Sequence, residues 1–95
     1  MEFVNKVELS GTVAEIRTSE RGTNFVMIKQ NVTFAGVERT RLFETLINSD
    51  RRDLIDQIAV DKKVKIFGSL TIFRVKKFNI HKMLVEINKI EPLEQ

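Results

Sequence analysis

Residues 50–59, DRRDLIDQIA, are the one stretch of this 95-residue chain whose apolar residues recur at helical spacing. The apolar stripe consists of Leu54, Ile55, Ile58 and Ala59. The side-chain oxygens of Ser49 and Asp50 are suited to capping the N-terminus of a helix. The stretch therefore predicts a ten-residue amphipathic helix, the only helix that the sequence indicates.

Five segments around this helix alternate apolar and polar residues with the period of a β-strand. They are KVELSGTV from Lys6, TNFVMIKQNV from Thr23, ERTRLFETLI from Glu38, VKIFGSLTIF from Val64 and HKMLVEINKI from His81. In the first segment the apolar phase changes after Val13, and Gly11 allows a bend or bulge there. A long, coiled first strand is therefore expected, followed by a turn at residues 19–22, SERG.

The alternation also predicts which side chains point inward. On the fourth and fifth strands the predicted interior residues are Val64, Ile66, Leu70, Ile72, Met83, Val85 and Ile87. The second strand is apolar on both faces from Phe25 to Ile28, so one of its faces is expected to meet something beyond the core.

The predicted order β-β-β-α-β-β, with a helix between strands 3 and 4, is typical of an OB-fold, a five-stranded Greek-key barrel. An SH3-like barrel is the alternative, although it rarely places an amphipathic helix at this point. The length suits one domain over residues 1–95. The expected class is therefore all-β, mainly β with one short helix.

The composition narrows the function. The chain has no cysteine, hence no disulfide framework and no thiolate chemistry. It has neither a signal-peptide pattern nor an apolar run that approaches the ~20 residues of a membrane span. These features predict a cytoplasmic protein that is not associated with a membrane.

The positive charge is segregated. Residues 62–85, KKVKIFGSLTIFRVKKFNIHKMLV, contain seven Lys or Arg residues and no Asp or Glu, whereas the other 71 residues contain nine basic and 13 acidic residues. Phe67, Phe73 and Phe78 are interleaved with these cations. A surface that binds single-stranded nucleic acid needs cations to contact the phosphates and aromatic rings on which the bases can stack.

Three of these segments resemble a known family. NKVELSGTV near the start, KKVKIFGSLTI in the fourth strand and HKMLVEINKIEPLE at the end are similar to the corresponding strands of bacterial single-stranded DNA-binding proteins and of their relative, primosomal replication protein N. The resemblance implies an OB-fold that binds single-stranded DNA with little sequence preference. It also implies a homodimer or homotetramer that acts in DNA replication, repair or recombination.

The chain departs from that family at two places. The third strand of the family typically offers a Trp for base stacking, and the matching position here is Leu42, with Phe43 pointing the other way. The sequence ends at IEPLEQ, without the acidic tail with which the bacterial proteins recruit repair enzymes. The missing tail argues against the recruitment role of the housekeeping proteins. A primosomal, plasmid-type or phage-type relative is the alternative, and replication or repair proteins are its expected partners.

The candidate nucleic-acid-binding residues lie mainly in FRVKKF, residues 73–78, which falls at the connection between strands 4 and 5, a wall of the OB-fold groove. Two further pairs are Arg39 and Arg41, which alternate along the third strand, and Arg17 and Arg21, which flank the first turn. Phe25 and Phe34 can stack on bases, but Phe25 is expected in the core or at a subunit contact. The full set is Arg17, Arg21, Lys29, Arg39, Arg41, Leu42, Phe73, Arg74, Lys76, Lys77, Phe78 and Lys82.

The sequence indicates neither an enzyme nor a cofactor. His81 is the only histidine, and without Cys or a second His it does not form a metal set. A catalytic triad and a phosphate-binding glycine loop are also missing from the pattern. Two alternatives to DNA binding are open: an RNA-binding OB module, and an assembly subunit whose basic segment meets an acidic protein. Phe67 is interpreted as a subunit contact in a homodimer or larger oligomer.

Overall fold

The structure, a computed structural model, describes residues 3–93 and contains five strands and one short helix. The elements are β1 (Val7–Thr18), β2 (Asn24–Phe34), β3 (Val37–Ile47), α1 (Arg52–Ile55), β4 (Lys63–Val75) and β5 (Ile80–Pro92). This is the predicted order. The strands close into a barrel in the order β1-β2-β3-β5-β4, which confirms the OB-fold-like architecture.

The long first strand closes the barrel because it pairs with two different neighbours. Residues from Val7 to Thr12 pair with β4, and residues from Thr12 to Thr18 pair with β2. The register shifts between Val13 and Glu15, so the bend lies just after the position where the apolar phase changes. Gly11 has a different role from the predicted flexibility, since a Cβ there would lie 2.5 Å from the Lys29 carbonyl oxygen.

The core consists of aliphatic side chains from every element. Its fully buried members include Val13, Val26, Ile28, Ile47, Leu54, Val64, Ile66 and Ile87. Thr45 is also buried, and its hydroxyl donates a hydrogen bond of 2.7 Å to the Val26 carbonyl oxygen. Since that hydroxyl has its partner within the sheet, its burial carries little cost.

The helix is much shorter than predicted. It spans four residues, its N-cap residue is Arg51, and no side chain caps it, so the prediction that Ser49 and Asp50 cap a ten-residue helix was wrong. A hydrogen bond from the Arg51 guanidinium lowers the pKa of the Asp53 carboxyl, and the same guanidinium donates to the Asn88 carbonyl oxygen. None of the helices in residues 3–93 is long and apolar enough to cross a membrane.

Three predicted interior residues are exposed. Leu70, Ile72 and Met83 are 46%, 65% and 67% exposed. Their phase was predicted correctly, because Leu70 pairs with the buried Val85 and Ile72 pairs with Met83. The β4–β5 hairpin, however, extends beyond the end of the barrel, where the inward face of these strands has no core to cover it.

Candidate nucleic-acid interface

One surface of the barrel, here called the outer face, is formed by the side chains that alternate with the core residues of β2 and β3. Val26 and Ile28 point into the core, whereas Phe25 and Met27 lie half-buried on the outer face. Three cross-strand pairs continue this face onto β3: Phe25 with Leu46, Met27 with Glu44, and Lys29 with Leu42. The second apolar side of β2 therefore forms the outer face. Of the two positions expected for Phe25, the core is wrong, and a subunit contact stays a prediction.

Two aromatic rings join the outer face to the β4–β5 hairpin. The rings of Phe25 and Phe73 meet edge to face, with centroids 5.3 Å apart and an interplanar angle of 82°. This is the geometry that aromatic pairs prefer. The contact holds the hairpin over the outer face and leaves a cavity of about 300 Å³, lined by Arg17, Thr18, Ser19, Phe25, Glu44, Phe73, Val75 and Lys82.

A second cavity continues the first between the β1–β2 turn and the tip of the hairpin. It has a volume of about 490 Å³ and is lined by Ser19, Glu20, Arg21, Thr23, Phe73, Arg74, Val75, Lys76 and Lys77. The turn itself is held by a hydrogen bond of 3.0 Å from the Gly22 amide to the Ser19 carbonyl oxygen and by φ of +89° at Gly22. The two cavities together are called the groove below.

The groove is electropositive. Six of its lining residues are cations and two are carboxylates, Glu20 and Glu44. Lys82 Nζ lies 3.6 Å from Glu44 Oε2, and Arg17 Nε lies 3.4 Å from Glu15 Oε1. Within residues 3–93 the other four groove cations, Arg21, Arg74, Lys76 and Lys77, form no ion pair. Their charge is therefore available to an anionic ligand.

The tip of the hairpin presents its cations and one ring to solvent. Arg74 Nη2 donates to Asn79 Oδ1 at 3.2 Å, and Asn79 adopts φ of +51° to close the turn. Lys77 Nζ lies 5.6 Å from the centre of the Phe78 ring, and Phe78 is 64% exposed. Phe73 is thus at the base of the groove wall and Phe78 at its exposed end.

The structure brings most of the predicted binding residues together. Seven of them line the groove: Arg17, Arg21, Phe73, Arg74, Lys76, Lys77 and Lys82. Lys29 and Leu42 are paired on the adjoining outer face, where Leu42 is 59% exposed. Phe43, as predicted, points the other way and packs against the core.

Arg39 and Arg41 are separated from the groove. In β3 they alternate with Leu42 and Glu44 and share the phase of the core residues Thr45 and Ile47. They lie on the far part of the β2–β3 hairpin, where every residue from Val37 to Leu42 is exposed. Phe34, at the tip of the same hairpin, is likewise distant in register from the Phe25–Phe73 pair.

Glu44 is a groove residue that the sequence reasoning missed. Its carboxylate lines the cavity with Phe25 and Phe73 and lies 3.6 Å from Lys82 Nζ. The signal was present, because Glu44 is two residues from Leu42 and so lies on the same face of the strand.

Phe67 lies in a charged cluster on the other side of β4. The ammonium groups of Lys65 and Lys89 are 5.2 and 5.3 Å from the centre of its ring. Lys65 also pairs with Glu8 at 3.6 Å, and Lys89 pairs with Glu91 at 3.2 Å. The charge of Lys65 is therefore locally balanced, unlike that of the cations at the hairpin tip.

No group of His, Cys, Asp or Glu side chains among residues 3–93 has the arrangement of a metal site. His81 is exposed on β5, opposite Arg74. The side chains gathered at the groove are suited to holding an anionic, partly aromatic polymer.

The fold is shared with solved structures of single-stranded DNA-binding proteins. The chain superposes on a small single-stranded DNA binding protein from Mycoplasma pneumoniae with a TM-score of 0.79 and 23% identity, covering 98% of this chain and 97% of the other. It superposes on the Plasmodium falciparum SSB, solved in complex with ssDNA, with a TM-score of 0.70 and 16% identity, covering 99% and 98%. No protein-family model and no curated protein sequence matches the chain. The resemblance inferred from the three strand segments is confirmed at the level of the fold.

Proposed function

We propose that this protein is a non-catalytic, largely sequence-independent single-stranded DNA-binding module that acts in DNA replication, repair or recombination. The groove carries this proposal: it combines the Phe25–Phe73 pair with four cations that form no ion pair within residues 3–93. Stacking on such rings is tolerant of sequence, since every base has a π-face, and the cations supply contacts to the phosphates.

Single-stranded DNA is favoured over RNA by one comparison. The Plasmodium falciparum SSB, which has the same fold over nearly its whole length, was solved with single-stranded DNA bound. The alternative of an acidic protein partner would use the same cations but would have no need of the aromatic pair at the base of the groove.

The direct test is a fluorescence-anisotropy titration of labelled oligonucleotides of about 20 residues, longer than the ~4–16 nucleotides that one OB domain covers. The label belongs on the DNA, because the chain has neither Trp nor Tyr. At ~50 mM salt, where phosphate contacts are strongest, micromolar or tighter binding is expected. Failure to bind under these conditions would refute the proposal, and a tenfold preference for matched RNA would replace DNA by RNA.

We further propose that the protein assembles at least into a homodimer. Leu70, Ile72 and Met83 form an exposed apolar surface on the projecting hairpin, and such surfaces commonly mark interfaces. Phe67 and its lysines offer a second surface. Sedimentation at tens of micromolar protein should give a mass above the 11.0 kDa of one chain; a single species of monomer mass would contradict the proposal.

A further inference from the structure

We infer that Glu44 makes the groove discriminate between bases, favouring cytosine over thymine at the pocket formed by Phe25 and Phe73. The inference rests on the proposed binding of single-stranded DNA, and it adds a modest preference at one position of an otherwise tolerant groove.

Glu44 is placed where a stacked base would present its edge. The carboxylate lines the same cavity as Phe25 and Phe73. Glu44 pairs in register with Met27, which is two residues from Phe25 on β2, so Glu44 and Phe25 lie side by side on the outer face. A base that enters this cavity and packs against one of the rings can therefore turn its polar edge toward the Glu44 carboxylate.

The carboxylate retains the capacity to accept a hydrogen bond from a ligand. Its contact within residues 3–93 is with Lys82, whose Nζ lies 3.6 Å from Oε2, longer than a good N–H···O hydrogen bond. The side chain of Glu44 is only 26% exposed, so a hydrogen bond formed there is partly shielded from water. An ionised carboxylate accepts hydrogen bonds but cannot donate one.

This chemistry separates cytosine from thymine. Cytosine presents an exocyclic N4 amino group, which donates and which Glu accepts in direct base readout, whereas thymine presents the O4 acceptor at that position. An acceptor that faces a carboxylate is unpaired and repelled. Because the two pyrimidines have the same ring, they stack alike, and the difference lies at the edge that Glu44 would contact.

Lys82 and Arg17 offset the negative charge of Glu44, so DNA can bind in a groove that contains a carboxylate. Both cations line the same cavity as Glu44, so positive charge is available there to the phosphates that flank the bound base. Glu44 nevertheless reduces the local potential, and its neutralisation should raise the affinity for oligonucleotides that lack cytosine.

The test compares labelled oligo-dC, oligo-dT and oligo-dU of equal length by anisotropy with wild-type protein, Glu44→Gln and Glu20→Gln. Glu20 is the matched control, because it is the other carboxylate of the groove and lies at the turn. Wild-type protein should bind dC more tightly than dT by about tenfold or more, the effect of one charged hydrogen bond. The dU oligomer should bind like dT, since it shares O4 and lacks only the methyl group.

The two variants separate recognition from general charge. Glu20→Gln should bind all three oligomers more tightly and retain the dC/dT ratio. Glu44→Gln should bind dT and dU more tightly and abolish the ratio, because the charged hydrogen bond to cytosine is lost and the Gln amide can donate to thymine O4. Equal binding of dC and dT by the wild type, or a ratio that Glu44→Gln leaves unchanged, would overturn the role of Glu44 while leaving DNA binding intact. If no oligonucleotide binds, the proposed function fails, and this inference fails with it. Thermal melts of both variants check that the near-isosteric substitutions preserve the fold.

Discussion

Neutralising the hairpin cations should weaken DNA binding and flatten its dependence on salt at the same time. Arg74, Lys76 and Lys77 line the groove and form no ion pair among the described residues. Each phosphate contact to a single strand contributes about 0.7 to the slope of log K against log salt. If all six groove cations contact phosphate, the slope is about −4, and the Arg74→Gln, Lys76→Gln, Lys77→Gln triple variant should give about −2.

The same relation gives the loss of affinity. With a common affinity at 1 M salt, three contacts correspond to a decrease of about five-hundredfold at ~50 mM salt and of about thirtyfold at ~200 mM. The assay is an anisotropy titration with labelled oligo-dC at several salt concentrations in that range. The melting temperature of the triple variant should stay close to that of the wild type, because its three side chains are at the exposed tip of the hairpin.

A charge-matched control makes this test sharp. Lys6, Lys62 and Lys63 are exposed and do not line the groove, and Lys62 and Lys63 belong to the same basic stretch of sequence. Replacing them by Gln removes three charges from the formal net charge of +3, as the hairpin variant does, so both variants have a net charge of zero. If the two variants lower the slope equally, net charge rather than the groove governs binding, and the assignment of the hairpin as a binding wall is refuted.

Three further outcomes follow from side-chain positions. Phe73→Ala should weaken binding by about 1–3 kcal/mol, as measured by anisotropy, whereas Phe78→Ala, which removes an exposed ring at the tip, should have a smaller effect; the reverse order would contradict the placement of Phe73 at the base of the groove. Phe67→Ala should reduce the mass observed by sedimentation before it changes affinity for a short oligomer, and unaltered assembly would remove Phe67 from the proposed interface. Gly68→Ala should destabilise the fold by about 1–3 kcal/mol or more in chemical denaturation, because the new Cβ would collide with the Glu86 carbonyl; a neutral effect would show that the sheet can relax there.

The strands and the place of the helix could be predicted because hydrophobic periodicity is a local signal, but the length of the helix could not. Leu54 and Ile58 recur at helical spacing and are indeed 2% and 9% exposed. The helical backbone nevertheless ends at Ile55, and turns carry the chain to Ile58. Burial of both side chains requires only that the segment cover the end of the barrel, so the apolar spacing predicted their burial correctly and their backbone conformation wrongly.

The exposed face of the hairpin shows a second limit of sequence reasoning. Alternation of apolar and polar residues predicts the face of a strand on which a residue lies, and Leu70, Ile72 and Met83 do lie on the core-facing side. Whether that side is covered depends on where the neighbouring strands end, which the whole barrel determines. Pairing between β1 and β4 ends at Val7 with Gly68, and beyond that point β4 has β5 as its strand partner, so the inward side loses its cover.

The site was predictable to the extent that its residues are consecutive. The cations of residues 73–78 stand out in the sequence because no acid interrupts them, and the structure places them on a groove wall. Arg39 and Arg41 alternate with Leu42 along β3, and the sequence does not show which of the two faces borders the groove. The register of β2 with β3 shows that Leu42 and Glu44 are on that face. An acidic residue in a basic groove is also unexpected from composition alone, which is why Glu44 was overlooked.

The basic stretch from Lys62 to Val85 serves different purposes along its length because β4 runs from the barrel into the hairpin. Within the barrel, Lys65 is balanced by Glu8 and lies over Phe67. Beyond Gly68, β1 no longer pairs with β4 and supplies no acidic neighbour, and Arg74, Lys76 and Lys77 form no ion pair among residues 3–93. The hairpin extends beyond the barrel, which leaves Leu70 and Ile72 exposed and places these cations beside Phe73. The groove therefore exists because the hairpin is longer than the barrel requires.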